Sequence, residues 1–149
     1  MAANHINDIV IKAIFNQQQP LAHAQLDCEL PPMLLYAGMR VVITQNRDKA
    51  NGVVNGQTAI LHAVHNHSVY LKLNNEKIVP IYPVTITRNH SSITLYPFCP
   101  AYAMTICKAQ GQTLPKVVLW FDIDTIPPGT AYVALSRVKC QNDICFLQK

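Results

Sequence analysis

A short polar turn near residue 108 carries side chains of the types that hold phosphates. Thr105 and Gln110 can form hydrogen bonds with phosphate or sugar oxygens, and Lys108 supplies a positive charge. Gly111 allows the backbone to come close to a ligand. An apolar, strand-like stretch precedes the turn, and ligands of parallel sheets bind at the carboxyl ends of strands. We therefore interpret the turn as a candidate binding site, with a solvated lysine and an ordinary turn glycine as the structural alternatives.

Arg137 is the second candidate, and it is the only arginine in the last third of the chain. It lies near the end of the stretch Gly129–Val138, which is apolar except at its C-terminal end. A guanidinium held at the end of a packed helix suits a phosphate that gains negative charge during transfer, which is the role of an arginine finger. The alternative is that Arg137 caps the C-terminal end of the helix through the helix dipole.

Two other clusters of polar residues do not predict a site. His62, His65 and His67 resemble a group of metal ligands, but on a strand His62 points away from the other two, and no cysteine or carboxylate is near in sequence. We therefore expect no metal site. Asp122 and Asp124 would share one face of a strand, where a pair of carboxylates at the strand end is expected to be solvated.

Helical periodicity is clearest at the start of the chain. The spacing predicts an amphipathic helix from Asn4, as its N-cap, to Phe15. The apolar face of this helix would comprise Ile6, Ile9, Val10, Ala13 and Ile14. Glutamine and proline then dominate residues 16–32, which are predicted to be a connecting loop.

Short β-rich runs follow between Leu34 and Leu95, separated by asparagine and glycine. Strands are predicted at Met39–Thr44, Gln57–Val64, Ser68–Leu73, Lys77–Tyr82 and Val84–Arg88. Asn74 and Asn75 would supply the positive φ angles of a tight hairpin turn. Several short strands at this spacing indicate a small barrel.

Strand-like and helical stretches alternate from Tyr96 onward, which indicates a parallel sheet covered on both faces. The first predicted element is strand Tyr102–Ile106, which a glycine-containing turn follows. The others are strand Val117–Phe121, helix Thr130–Val138 and strand Ile144–Leu147. The predicted fold class is therefore α/β.

Composition limits the class of protein. The chain has 149 residues, of which 50% are apolar and 13% charged, which excludes disorder and leaves room for one or two lobes. No stretch approaches the roughly 20 apolar residues of a membrane span, and the N-terminus lacks a secretory signal, so we expect an intracellular protein without a membrane partner. Five cysteines without a CxxC pair indicate free thiols, and a net charge of +4 favours polyanions only mildly.

Several segments together resemble one helicase family. Ala101–Leu114 and Gly129–Val138 look like motifs V and VI of the superfamily 1 helicases that move 5′ to 3′, most closely the PIF-type DNA helicases, with RecD-type enzymes next. Gly38–Asn46, followed by Val54–Gly56, resembles the start of the small Src-homology-like barrel that this family inserts into its second motor lobe. Asn4–Asp8 resembles the helix after the first strand of that lobe.

The resemblance implies a division of the fold. Residues 1–35 and 96–149 would form the second RecA-like lobe, with a partial and mostly parallel sheet, and residues 36–95 would form the inserted barrel. Cys107 departs from the family pattern, because family members commonly carry histidine or asparagine at this position of motif V. The sequence contains no GxxxxGK[ST] loop, and no apolar strand ahead of motif V ends in an acidic pair, so the lobe that binds ATP is expected to be missing.

The resemblance also implies a function, that of the C-terminal part of an ATP-dependent 5′-to-3′ DNA helicase. The resemblance assigns the contacts to single-stranded DNA to three residues of motif V: Thr105, Lys108 and Gln110. Arg137 would reach the γ-phosphate of ATP as the catalytic finger, with Gly111 and Gln112 lining the nucleotide side. ATP and Mg would be bound mainly by the missing N-terminal lobe, so the chain alone is not expected to hydrolyse ATP. The family points to genome maintenance, including DNA repair and recombination, or to a mobile element, and to the nucleus in a eukaryote.

Two alternatives remain open at this point. The first is a non-enzymatic module whose barrel and motif V turn bind single-stranded nucleic acid weakly and with a strong dependence on salt. The second is an inactive helicase fragment whose open face exposes apolar surface and favours association.

Overall fold

The computed structural model describes residues 2–24, 33–88, 91–120 and 127–147. They belong to two units, which we call the N-terminal unit, His5–Ala103, and the C-terminal unit, Met1–Asn4 with Met104–Lys149. The boundaries predicted for a lobe and a barrel stay a prediction. None of the helices in the described ranges has the length and apolar character that crossing a membrane requires.

The helices are short apart from the first. They are α1 (Ala2–Phe15), α2 (Ile106–Ala109) and α3 (Thr130–Leu135), with a 3-10 turn at Gln141–Asp143. The strands are β1 (Ala22–Ala24), β2 (Met33–Leu35), β3 (Arg40–Ile43), β4 (Thr58–His65), β5 (Ser68–Leu73), β6 (Ile78–Ile81), β7 (Val84–Arg88), β8 (Ser91–Leu95), β9 (Phe98–Pro100), β10 (Val117–Leu119) and β11 (Ile144–Phe146).

The first helix, α1, begins earlier than predicted. It starts at Ala2, so Asn4 lies inside the helix rather than at its N-cap. Its last residue, Phe15, agrees with the prediction. The ring of Phe15 stacks on that of Tyr36, with the ring centroids 4.8 Å apart. This contact holds the end of the helix against the core of the N-terminal unit.

The buried face of α1 also differs from the prediction. The predicted face includes Ile9 and Ile14, but these side chains are 53% and 51% exposed. The buried stripe consists instead of Asn7, Ile11 and Phe15, which follow one another at intervals of four residues. The prediction counted apolar residues only, whereas the buried amide of Asn7 binds backbone groups of residues 102 and 103.

Part of the predicted connecting loop is a strand. β1 pairs antiparallel with β2, and Ala22 lies opposite Leu35. Leu35 is fully buried, and Ala22 and Ala24 pack against the same core. The sequence Ala-His-Ala has little intrinsic preference for a strand, so its pairing with β2 decides its conformation. Residues 25–32, which complete the predicted loop, lie outside the described residues.

A five-stranded antiparallel sheet in the order β6-β5-β4-β3-β9 forms most of the N-terminal unit. The side chains of Val69, Leu71 and Leu73 on β5 are buried, and those of Tyr70 and Lys72 between them are half exposed. This alternation is the pattern from which the strand was predicted. All the strands predicted between residues 39 and 88 are confirmed to within one residue at each end.

The β5–β6 turn has a different backbone geometry from the prediction. The prediction gives positive φ angles to Asn74 and Asn75, but the residue with a positive φ angle in this turn is Glu76, at 66°. The connection holds three residues rather than two, and in such loops the last residue takes the left-handed conformation. The side-chain oxygen of Asn75 accepts a hydrogen bond from the Lys77 N–H instead.

No strand forms at residues 102–106, where the sequence predicts one. β9 ends at Pro100, before the predicted start. The N–H groups of Tyr102 and Ala103 donate to Oδ1 of Asn7, at 3.0 and 2.7 Å, and not to a neighbouring strand. A side chain distant in sequence therefore takes the backbone hydrogen bonds that the prediction assigned to a sheet.

The C-terminal unit contains the one parallel strand pair among the described residues. β10 and β11 lie side by side, with Val117 opposite Ile144. α3 ends at Leu135, short of its predicted end at Val138. The fold is mixed α/β with mainly antiparallel sheets. The sequence predicted a mostly parallel sheet for the second lobe. Among the described residues, β10 and β11 are the one pair of strands that is parallel.

Replacing Leu61 by alanine should destabilise the N-terminal unit strongly. Leu61 is fully buried, and a buried leucine-to-alanine change costs about 2–5 kcal/mol. The neighbouring Ile60 is 44% exposed, so Ile60→Ala should cost less than about 1 kcal/mol. Urea unfolding of both variants measures the two free energies. Equal losses would contradict the register of β4.

Candidate functional site

The polar turn that the sequence predicts as a binding site is the single helical turn α2, with Thr105 at its N-cap. Thr105, Lys108 and Gln110 are exposed, and Ala109 is buried and anchors the turn. The Thr105 hydroxyl makes no capping hydrogen bond, so it can bind a ligand. The Lys108 N–H donates to the Thr105 carbonyl at 3.0 Å, which closes the turn between the two residues.

Gly111 follows α2 in the left-handed backbone conformation, with φ at +81°. A Cβ atom there would meet no other atom within 4 Å, so the backbone angle and not crowding favours glycine. The next residue, Gln112, donates from its side-chain Nε2 to the Lys108 carbonyl and from its backbone N–H to the Ala109 carbonyl, each at 3.1 Å. These two bonds hold Gln112 against α2.

Arg137 is hydrogen-bonded to Gln112. Its Nη1 donates to the Gln112 carbonyl at 3.3 Å, and the Leu114 N–H donates to the Arg137 carbonyl at 2.8 Å. Its Nε donates to the Val133 carbonyl at 2.9 Å, and its Nη2 donates to the Ser136 hydroxyl at 2.8 Å. The guanidinium group of this half-buried residue therefore has a defined orientation.

The structure bears on one of the two explanations of Arg137 that the sequence left open. The bond from Nε to the Val133 carbonyl caps the C-terminal end of α3, as the structural alternative requires. The bond from Nη1 to the Gln112 carbonyl joins the same side chain to the polar turn. The binding and catalytic roles that the resemblance assigns to these residues stay predictions.

The remaining polar clusters of the sequence are the pair of aspartates at residues 122 and 124 and the three histidines between residues 62 and 67. Asp122 and Asp124 lie outside the described residues. Elsewhere in the described ranges, no three histidine, cysteine, aspartate or glutamate side chains are placed to hold a metal ion. Cys107, where the resemblance leads us to expect histidine or asparagine, is exposed next to Lys108 in the chain.

The N-terminal unit has a cleft that the sequence does not indicate. Its volume is about 430 Å³, its walls are mainly apolar, and Arg47, Asp48 and Asn51 contribute polar groups. The side-chain and backbone N–H groups of Asn51 donate to the Asp48 carboxylate at 2.6 and 3.1 Å. These bonds lower the pKa of Asp48 below its ordinary value of 3.8. The carboxylate is therefore engaged in holding its own turn.

Asn7 is a buried polar residue that the sequence analysis did not single out as functional. Its Oδ1 accepts the N–H groups of Tyr102 and Ala103, and its Nδ2 donates to the Ala103 carbonyl at 2.9 Å. The available signal was its spacing of four and eight residues from Ile11 and Phe15. That spacing places an amide in an otherwise apolar stripe.

Known proteins match most of the chain, although no family model does. The curated ATP-dependent DNA helicase Pif1 of Bdellovibrio bacteriovorus is 27% identical over 143 residues, which are 89% of this chain and 31% of the relative. A solved structure that describes DNA unwinding at forked double-stranded DNA by two coordinating Pif1 helicases matches 77% of this chain and 28% of its own, with 30% identity and a TM-score of 0.69. The Bacteroides Pif1 helicase in complex with ADP-AlF3 and single-stranded DNA matches 97% of this chain and 38% of its own, with 20% identity and a TM-score of 0.69.

The resemblance to the Pif1-type helicases is thereby confirmed. The chain spans about a third of the length of the curated Pif1 relative. Its mixed α/β fold is similar to that of the Bacteroides Pif1 structure, which at 20% identity is a likeness of fold alone.

Arg137→Ala should loosen the connection between α3 and the polar turn. The change removes charged donors from the Val133 and Gln112 carbonyls, and hydrogen bonds to charged groups contribute about 1.5–3 kcal/mol, less at a half-exposed position. Amide exchange of Leu114, whose N–H bonds to Arg137, should rise about tenfold. The exposed Lys139 provides the control: Lys139→Ala should leave that rate unchanged. An unchanged rate in Arg137→Ala would show that the guanidinium does not hold the turn.

Proposed function

We propose that the chain is the C-terminal part of an ATP-dependent 5′-to-3′ DNA helicase, and that it supplies contacts to single-stranded DNA and an arginine finger. The observation that carries the proposal is a continuous set of hydrogen bonds from the exposed turn to the arginine. The Gln112 side chain donates to the Lys108 carbonyl, and Arg137 donates to the Gln112 carbonyl. This supports the proposal because a motor must couple its nucleic-acid site to its nucleotide site.

Single-stranded DNA is the proposed ligand of the turn. Thr105, Lys108 and Gln110 present a hydroxyl, an ammonium and an amide group to solvent. Such groups bind phosphates and sugars without reading the base sequence. The thiol of Cys107 adds no charge, so Lys108 carries the positive charge of the turn. Binding should therefore depend steeply on salt and only weakly on sequence.

ATP and Mg are the proposed cofactors of the complete enzyme. When bound, ATP supplies the phosphoanhydride bond whose hydrolysis drives movement. Arg137 fits a phosphate because two of its five N–H donors make no bond within the described residues, and Gly111 and Gln112 would line the same side. The described residues of the C-terminal unit do not fit Mg, which proteins bind through carboxylate groups. Asp143 is the one carboxylate side chain among them. We assign Mg and most of the nucleotide contacts to an N-terminal lobe.

The surface of the C-terminal unit supports the proposal that another lobe completes it. The side chains of Tyr132 and Phe146 are 76% and 61% exposed. Leu135, Ile144 and Phe146 line an open hollow of about 440 Å³. Contiguous exposed apolar surface is typical of a surface that binds another domain or protein.

The proposed division of the chain follows the helicase resemblance. Residues 36–95 would be the inserted barrel, which is supported by the antiparallel order of β3 to β6. Residues 1–35 and 96–149 would be the second RecA-like lobe, which is supported by the parallel pair of β10 and β11.

Lys108→Ala should weaken binding of the chain to single-stranded DNA equally for all sequences. The loss of one phosphate contact should lower the affinity about 3- to 10-fold at low salt, and should reduce the slope of log affinity against log salt by about 0.7. Lys116→Ala, which removes another exposed lysine of the same unit, should change neither quantity much. Fluorescence anisotropy with labelled oligonucleotides measures both. An unaltered chain that binds no oligonucleotide at low salt would refute the assignment of DNA.

Arg137→Ala should abolish unwinding in a polypeptide that also contains the ATP-binding lobe. ATP hydrolysis should fall about 10³–10⁵-fold, while DNA binding changes little. An antibody raised against residues 36–95 identifies that polypeptide in a cell extract by its size. A product of the size of this chain would favour a non-enzymatic binding module. Normal ATP hydrolysis in the variant would contradict the role of Arg137 as a finger.

A further inference from the structure

Three polar groups at the end of α3 form a closed ring of hydrogen bonds. Nε of Arg137 donates to the Val133 carbonyl at 2.9 Å, and Nη2 donates to the Ser136 hydroxyl at 2.8 Å. The same hydroxyl donates to the Val133 carbonyl at 3.1 Å, which closes the ring. All three residues lie within the C-terminal unit. The side-chain oxygen of Ser136 therefore accepts one hydrogen bond and donates another, and the accepted bond comes from Arg137.

Ser136 supplies the second attachment of the guanidinium group. A single hydrogen bond from Nε leaves the planar group free to turn about that bond, whereas a second bond from another nitrogen fixes its plane. The bond from Nη1 to the Gln112 carbonyl is 3.3 Å long, which exceeds the range of about 2.7–3.2 Å that is usual for such bonds. The bond to Ser136, at 2.8 Å, is the stronger of the two by its length and fixes the plane.

The ring also determines which donors of Arg137 remain available. Among the described residues, Nε makes one bond and each of the two terminal nitrogens makes one. Because a guanidinium has five N–H groups, one N–H is left on Nη1 and one on Nη2. A phosphate binds to a guanidinium through such a pair of donors, one from each nitrogen. Ser136 thus occupies one N–H of Nη2 and leaves the other to a ligand.

The end of α3 does not itself require the Ser136 hydroxyl. A serine that bonds to a carbonyl three or four residues earlier is common in helices and needs no role beyond local structure. The Val133 carbonyl, however, already accepts a hydrogen bond from Nε of Arg137, and alanine has a higher helix propensity than serine. Nη2 depends on the hydroxyl more strongly, because Ser136 is its one partner among the described residues.

We propose that Ser136 is a positioning residue for Arg137, because its hydroxyl fixes the plane of the guanidinium and thereby the direction of the two free N–H groups. The inference rests on the proposed function of Arg137 as a finger that reaches the γ-phosphate of ATP. Ser136 itself touches no ligand. Its side chain is exposed, so water competes for its hydrogen bonds, and removal of the hydroxyl should weaken the finger without abolishing it.

Nuclear magnetic resonance of the chain tests the attachment directly. Ser136→Ala should raise the exchange rate of the Arg137 Nε–H with water about 3- to 10-fold, because the guanidinium loses one of its attachments. Ser136→Thr keeps the hydroxyl and should restore a rate near that of the unaltered chain. The backbone N–H of Val133, which bonds to the Gly129 carbonyl inside α3, should change much less in both variants.

Two results of this experiment would overturn the positioning role. The first is an unchanged rate at the Arg137 Nε–H in Ser136→Ala. The second is an equal rise at the Val133 backbone N–H, which would indicate a general loosening of α3. Lys139→Ala removes an exposed side chain after the helix, and it should alter neither rate.

ATP hydrolysis by a polypeptide that also contains the ATP-binding lobe tests whether the positioning serves the finger. Ser136→Ala should lower kcat about 3- to 10-fold with little change in KM for ATP, because the guanidinium acts on charge that develops during transfer. Ser136→Thr should recover most of the loss. In an Arg137→Ala background, Ser136→Ala should cause no further loss, because no guanidinium is left to position.

The failure of this inference can be told apart from the failure of the proposed function. Additive losses in the double variant would contradict the role of Ser136 while leaving Arg137 as the finger. Normal ATP hydrolysis in Arg137→Ala alone would refute the finger. The exchange rate of the Arg137 Nε–H would then still decide whether Ser136 holds the guanidinium.

Discussion

The hydrogen bonds between the Asn7 amide and the backbone of residues 102 and 103 connect the two ends of the N-terminal unit. They determine which face of α1 is buried, since a satisfied amide can lie in the core and an unsatisfied one cannot. They also determine where the chain leaves the sheet after β9. A single buried polar group thus sets two features that apolar packing alone leaves undetermined.

The bonds of Arg137 in the C-terminal unit are compatible with a role at a phosphate. A guanidinium is planar and rigid, so bonds made by some of its N–H groups fix the direction of the others. The bonds to the carbonyls of Val133 and Gln112 therefore reduce the conformational entropy that the side chain would lose on binding a ligand. A helix cap and a finger can be the same side chain, provided that the cap leaves donors unused.

The sequence was most informative where structure depends on near neighbours. The alternation of apolar and polar residues in Ser68–Leu73 predicts β5 to the residue, and the resemblance to Pif1-type helicases rests on segments long enough to be specific. The same reasoning failed at Tyr102, whose backbone N–H has a partner 95 positions away. It failed again at Asn74, because the number of residues in the turn, and not their types, decides which one takes a positive φ angle. For the candidate site, the residue types were visible in the sequence, but the bond from Arg137 to Gln112 was not.

The strands β10 and β11 are parallel neighbours, and α3 lies between them in sequence. Parallel neighbours cannot be joined by a hairpin, so the chain must cross over from one end of the pair to the other. Such crossovers are right-handed in nearly all proteins, because strands of L-amino acids twist in one direction. The chirality of the amino acids themselves thus selects the side of the strand pair on which α3 and Arg137 arrive. Any phosphate that Arg137 binds would therefore be approached from the side of the strand pair that this handedness selects.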